Sequence, residues 1–129
     1  MIQVILHSDE PKVSLEDQVA QHFSGGKAVW RKTYDSLMGE INAFGDDVVV
    51  STTNSYISLL RKDRKFGIVQ VTSKRLDIGL KLDKSPISTR IEESGTWNAM
   101  VTHRIRIENP DQIDADLILW LRQSYDLIG

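Results

Sequence analysis

"GTWNAMVTHRIRIENPDQIDADLILWLRQSY", residues 95–125, contains the change of period that decides the fold. In "MVTHRIRI" the side chains alternate: Val101, His103, Ile105 and Ile107 share one face, while Thr102, Arg104, Arg106 and Glu108 share the other. Alternation of this kind predicts a strand with its imidazole on the apolar side and its guanidinium groups turned away. Asn109 and Pro110 stop the strand, and two helix starts are then open. In one, Asn109 is the N-cap, Pro110 takes the first helical position and Gln112 completes a capping box; in the other, Asp114 is the cap after one loose turn. Both readings line Ile113, Leu117, Trp120, Leu121 and Ile128 along one apolar stripe. Both also put Asp111, Asp114 and Asp116 at the positive end of the helix dipole, so the acids have a local explanation.

Upstream, "DVVVST", "SYISLL", "KFGIVQVT" and "RLDIGLKL" are rich in β-branched and aromatic residues and are joined by short polar turns, the pattern of an antiparallel meander. In the last of them Leu76, Ile78, Leu80 and Leu82 lie on one face, opposite Arg75, Asp77, Gly79 and Lys81. Each buried leucine or isoleucine contributes roughly 1.5–3 kcal/mol, so a one-residue register slip is strongly disfavoured. "KFGIVQVT" has apolar residues in both phases, which implies that both sheet faces are partly covered, by helices on one and by a long loop on the other. That loop is "DKSPISTRIEESGTWNA", residues 83–99. Trp97 and Met100 at its end either plug an edge of the core or wall a binding site.

Toward the N-terminus, Ser14 is an expected N-cap for "LEDQVAQHF", and Gly25 and Gly26 break the chain. "KAVWRKTYDSLMGEINAF" repeats Trp30, Tyr34, Leu37, Met38, Ile41 and Phe44 at helical spacing, with Gly45 expected as a left-handed C-terminal residue. "MIQVILH" reads as a short strand. The expectation is an α+β fold: an antiparallel sheet of about five strands with two to three packed helices. Residues 1–25 are an N-terminal strand/helix extension and residues 26–129 the domain proper.

A chain of 129 residues, 40% hydrophobic, suits one core. The absence of cysteine excludes disulfides and thiolate chemistry and points to a reducing compartment. No apolar run approaches the about 20 residues of a membrane span, so no membrane association and a cytoplasmic location are expected. The net charge of −2 hides an asymmetry: residues 61–106 hold eleven Lys/Arg against five Asp/Glu, and the remainder five against thirteen. Much of the basic excess lies in two turns, "RKDRK" at residues 61–65 and "SKR" at residues 73–75, which a strand of about 24 Å keeps at opposite ends of the sheet. They cannot form one pocket; they can flank an extended anion such as a nucleic-acid backbone, or serve simply as solvated turns.

Catalytic motifs are missing. There is no nucleophile elbow, phosphate loop, dinucleotide fingerprint or zinc-protease helix, and His7, His22 and His103 are too scattered for a metal site. The one Glu-x-Lys of nuclease type, at Glu10 and Lys12, encloses Pro11, which argues against a strand. Neither a cofactor nor a metal is expected.

The strand pattern with Tyr56, Phe66, Leu76, Gly79 and Leu80, and the more specific set Gly95, Trp97, Asn98, Val101, Thr102, His103 and Arg104, resemble the bacterial DUF5655 family over residues 26–128. An old label for that family is "predicted transport protein". The resemblance implies no reaction; such domains occur alone or joined to larger bacterial proteins, some of restriction or nuclease type, which implies an accessory module.

The leading expectation is therefore a non-enzymatic binding or interaction module for nucleic acid or another anionic ligand. Arg104 and Arg106 would donate charge-assisted hydrogen bonds, Arg61, Lys62, Arg64 and Lys65 would steer, Trp97 would stack, and Asn98, Thr102 and His103 would complete the site. One alternative is a small hydrolase-type enzyme using His103 with Glu92 or Glu93. Another is a module that binds a second protein or its own copy through strand faces or edges.

Overall fold

The computed structural model describes residues 14–129, so the strand read in "MIQVILH" lies outside the described residues. Helix α1, Leu15–Gln21, starts where Ser14 Oγ accepts the Asp17 amide at 3.1 Å. A 3-10 turn, Gly25–Trp30, leads into helix α2, Arg31–Asn42. The expected single helix is thus split at Trp30, whose indole N–H donates to Ser73 O. Gly45 is not left-handed, and α2 ends on Ala43 in ordinary helical geometry. The reason for a glycine there is space: a Cβ would meet Asp47 Oδ1 at 3.0 Å and Tyr125 Cζ at 3.4 Å.

Strands β1 (Val48–Thr52), β2 (Ile57–Arg61), β3 (Arg64–Val71) and β4 (Leu76–Leu80) form the anticipated meander, followed by β5 (Ile91–Glu93) and β6 (His103–Ile107). The sheet is antiparallel in the order β1-β2-β3-β4-β6-β5, one strand more than expected. The extra strand is β5, a three-residue edge strand inside the segment read as loop. It pairs only with β6, and a run that short has no alternation to detect. The chain passes from β4 out to the edge and returns to insert β6 beside β4, with Leu80 opposite His103 and Ile78 opposite Ile105.

One core lies between the sheet and the helices. It unites Val19 and Phe23 near α1, Tyr34, Leu37 and Ile41 of α2, the strand residues Ile57, Leu59, Val69, Ile78 and Ile105, and Leu117, Trp120 and Leu121 of the last helix, α3 (Ala115–Ile128). Burial pushes the Tyr34 phenol up to about 12. Both readings of the final helix start hold in part. Asn109 caps the 3-10 turn Pro110–Gln112 with a complete capping box, and Asp114 then caps α3 through the Leu117 amide. A bulge between β2 and β3 pairs Leu59 with Gly67 and Leu60 with Lys65; Phe66, between them, meets Tyr125 edge-on at 5.5 Å. No helix among the described residues is long and apolar enough to cross a membrane.

Candidate functional site

Strand β6 has the parity read from its sequence: His103, Ile105 and Ile107 are buried on the helix side, whereas Arg104 is half-buried and Arg106 exposed on the opposite side. That opposite face carries no helix. Gly79 leaves room on it for residues 94–101 to fold back over β3 and β4; a Cβ there would meet Ile68 Cγ1 and Val101 Cγ2 at 2.8 Å and Trp97 Cζ3 at 3.0 Å. Trp97 donates its indole N–H to Gln70 Oε1 at 3.0 Å and has the Arg104 guanidinium 4.5 Å from its ring centroid. Arg104 also reaches Asp77 Oδ2 at 3.1 Å, and Arg75 holds the other oxygen of that carboxylate at 2.7 Å. Asp77 is only 2% exposed, and two guanidinium groups share its carboxylate. The bond to Asp77 raises Arg75 above the ordinary arginine value. Arg106 pairs with Glu92 at 3.3 Å.

The turn between β2 and β3 lies at the far end of β3, and its arginines serve α3. Arg61 donates to Tyr125 O and Asp47, and Arg64 to Ile128 O, so both satisfy carbonyls of the last helical turn, where the dipole is negative. Tyr125 donates its hydroxyl to Asp47. This bond, with that from Arg61, holds the Asp47 carboxyl below the usual carboxylate range. Lys62 is exposed with a positive φ of 58°. Lys65 leans on Tyr56, its Nζ 4.9 Å from the ring centroid, and the pairing of Leu60 with Lys65 sends both to the helix-free face. Of the basic residues anticipated as ligands, Arg104 and Arg106 are thus neighbours and Lys65 shares their face, while Arg61, Lys62 and Arg64 belong to the turn beside the end of α3.

His103 is 6% exposed, and both ring nitrogens are engaged, Nε2 with Ser85 Oγ at 2.8 Å and Nδ1 with Thr102 Oγ1 at 2.7 Å. The carboxylates expected as its partners are elsewhere. Glu92 faces Arg106, and Glu93, opposite His103 in the ladder, is exposed with no hydrogen bond to the imidazole. Asn98 accepts the Met100 amide in its own turn and leaves the imidazole alone. Among the described residues no group of three or more His, Cys, Asp or Glu is placed to hold a metal ion. A polar cleft of about 390 Å³ opens between α1, the 3-10 turn and the β1–β2 turn, with Gln18, His22, Lys27 and Thr52 in its wall. Burial lowers the His22 imidazole.

Several structuring residues have no local signal in the sequence. Ser124 is fully buried on α3 and accepts the Lys81 amide at 2.8 Å while donating to Phe66 O, a small polar residue that binds two strands to the helix. Arg90 reaches Asp114 at 2.7 Å and Gln112 O at 2.8 Å, fastening β5 to the start of α3. Ser85 lies in a loop with no period at all.

No curated protein matches the chain, and no solved structure matches it. The family matched over residues 19–128 is described as a domain of unknown function, DUF5655. The match begins inside α1, whose Val19 packs into the same core as the sheet. Covering nearly the whole described chain, it places this protein in the DUF5655 family.

Proposed function

We propose that the helix-free face of the sheet is a non-catalytic binding surface, with single-stranded nucleic acid as the ligand class. The observation that carries the reading is the pair of aromatic–cation contacts on that face, Tyr56 with Lys65 and Trp97 with Arg104. Gln70 accepts the Trp97 indole N–H and Arg75 pairs with Asp77, adding polar side chains beside the indole. Every base has a π-face, so aromatic platforms interleaved with cations accept a strand without reading its sequence. The cysteine-free composition supports a reducing, cytoplasmic setting.

Electrostatics here are weaker than the sequence suggested. Lys65, Arg75, Arg104 and Arg106 face Asp77, Glu92 and Glu108, so only a small positive excess remains. Affinity then rests on stacking, and its salt dependence is shallow. With one or two phosphates neutralised, log affinity should fall against log salt with a slope of about −1. Trp30 and Trp120 are buried, so Trp97 is the fluorescent reporter of the face. Short single-stranded oligonucleotides should quench its emission, and Trp97→Leu or Tyr56→Ala should abolish binding measured by anisotropy. A slope near zero, no quenching in low salt, or equal affinity in both variants rejects the reading.

A further inference from the structure

The geometry points to a second activity, independent of the binding face: we propose that Ser85 is a nucleophile for acyl transfer from activated esters, with His103 as its base and Thr102 as a positioning residue. The alignment of Ser85 Oγ, the His103 ring and Thr102 Oγ1 carries the argument. Thr102 Oγ1 accepts the Leu82 amide at 2.9 Å, lies 2.7 Å from His103 Nδ1 and lies 3.2 Å from Leu80 O. A hydroxyl has one proton and two acceptor sites. When the Thr102 proton goes to Leu80 O or Leu82 O, the acceptor sites take the Leu82 amide and an Nδ1–H, which is the tautomer the proposed base requires. The Nε2 lone pair then faces Ser85 Oγ at 2.8 Å, within the reach required of a base and its nucleophile. The imidazole is fixed on the rigid ladder between β4 and β5, while Ser85 is exposed and open to a substrate.

In the reaction, Ser85 Oγ bonds to the ester carbonyl carbon as its proton passes to Nε2. The carbon–oxygen bond to the leaving alcohol then breaks, and Nε2 returns the proton to that alcohol. Water, deprotonated in turn by Nε2, attacks the acyl-serine; the acid departs and Ser85 recovers its proton. Two features restrict the substrate class. A neutral hydroxyl, in place of a carboxylate, backs the imidazole and stabilises the imidazolium less. The residue after Ser85 is Pro86, which has no N–H to offer an oxyanion. Esters with good leaving groups, such as aryl esters, are therefore the substrates this relay can serve.

The test is incubation of the full chain with p-nitrophenyl acetate, following p-nitrophenol release and locating the acyl group by peptide mass spectrometry. A burst is expected with acylation at Ser85, lost in Ser85→Ala, a surface change that leaves the melting transition in place. His103→Gln should slow acylation roughly 100-fold, the scale of general-base assistance. Thr102→Val should slow it about 10-fold and Thr102→Ser restore it, a rescue that loss of packing alone would not produce. Acylation of Ser85 no faster than in the urea-unfolded chain, or unchanged in a folded His103→Gln variant, overturns the proposal. Should His103→Gln fail to fold, Ser85→Cys supplies the decision: its alkylation by iodoacetamide must exceed that of the unfolded variant by at least about 10-fold, the factor of one pKa unit of thiolate activation.

Discussion

The two faces of β4 and β6 are built from the same ten residues by different physics. Toward the helices, Leu76, Ile78, Leu80, Ile105 and Ile107 are fully buried, and the stabilisation is non-directional, in proportion to apolar area. Toward the loop, Asp77, Gly79 and Arg104 are held by a shared carboxylate, a cation over an indole and a contact that only a glycine permits. The first face tolerates any apolar side chain of similar volume; the second depends on each partner being present. An ordinary core and a specific polar cluster can thus share one strand, and the specific side is the one on which Trp97 lies.

The sharpest way to break this contrast is to empty each side in turn. Ile78→Ala should lose about 4 kcal/mol in denaturant unfolding, since a cavity adds to the lost transfer energy. Asp77→Ala should lose about 3 kcal/mol by leaving two guanidinium groups around an empty site, whereas the double variant Asp77→Leu with Arg104→Met should recover most of it. If the double variant is no better than the single one, the face is not a paired-charge network. Gly79→Ala should cost about 2 kcal/mol, because three neighbours at 2.8–3.0 Å must move, and the Trp97 emission spectrum should shift as the indole lifts from the sheet.

The smallest effect lies at the far end of β3. Asp47 has its carboxyl held below the ordinary value, first by the Tyr125 hydroxyl and then by Arg61. Its contribution is fully present above the unfolded carboxylate value of about 3.9 and is lost as pH falls from there through the folded value. Asp47→Asn should therefore flatten the acid limb of a stability–pH curve below about pH 4 and leave its neutral region nearly parallel to the wild type. A parallel acid limb would assign no role to that bond.

Much of the fold was legible because its signals are periodic. The strand parity of Leu76, Ile78 and Leu80, the stripe of Tyr34, Leu37 and Ile41, and the caps Ser14, Asn109 and Asp114 all follow from residue type at fixed spacing. The edge strand Ile91–Glu93 was not legible, since three residues carry no period and its pairing depends on β6. The candidate site was half legible. Trp97, Arg104 and His103 stand out by type, but Gln70, Asp77 and Ser85, which decide what they do, are distant in sequence and ordinary in composition.

Side-chain parity, the capping residues Ser14, Asn109 and Asp114 and the positions of the basic turns were determined by the sequence alone, because each depends on neighbours within one strand or one helical turn. Only the tertiary structure decided the rest: that β6 enters beside β4, that Arg61 and Arg64 serve the carbonyls of α3, and that the imidazole meets Ser85 and Thr102. Those pairings join segments far apart in the chain, and each cation or imidazole had several partners of suitable chemistry. The choice among them was made by burial, which removes water as a competitor and leaves each polar group to the partner that the backbone brings within reach.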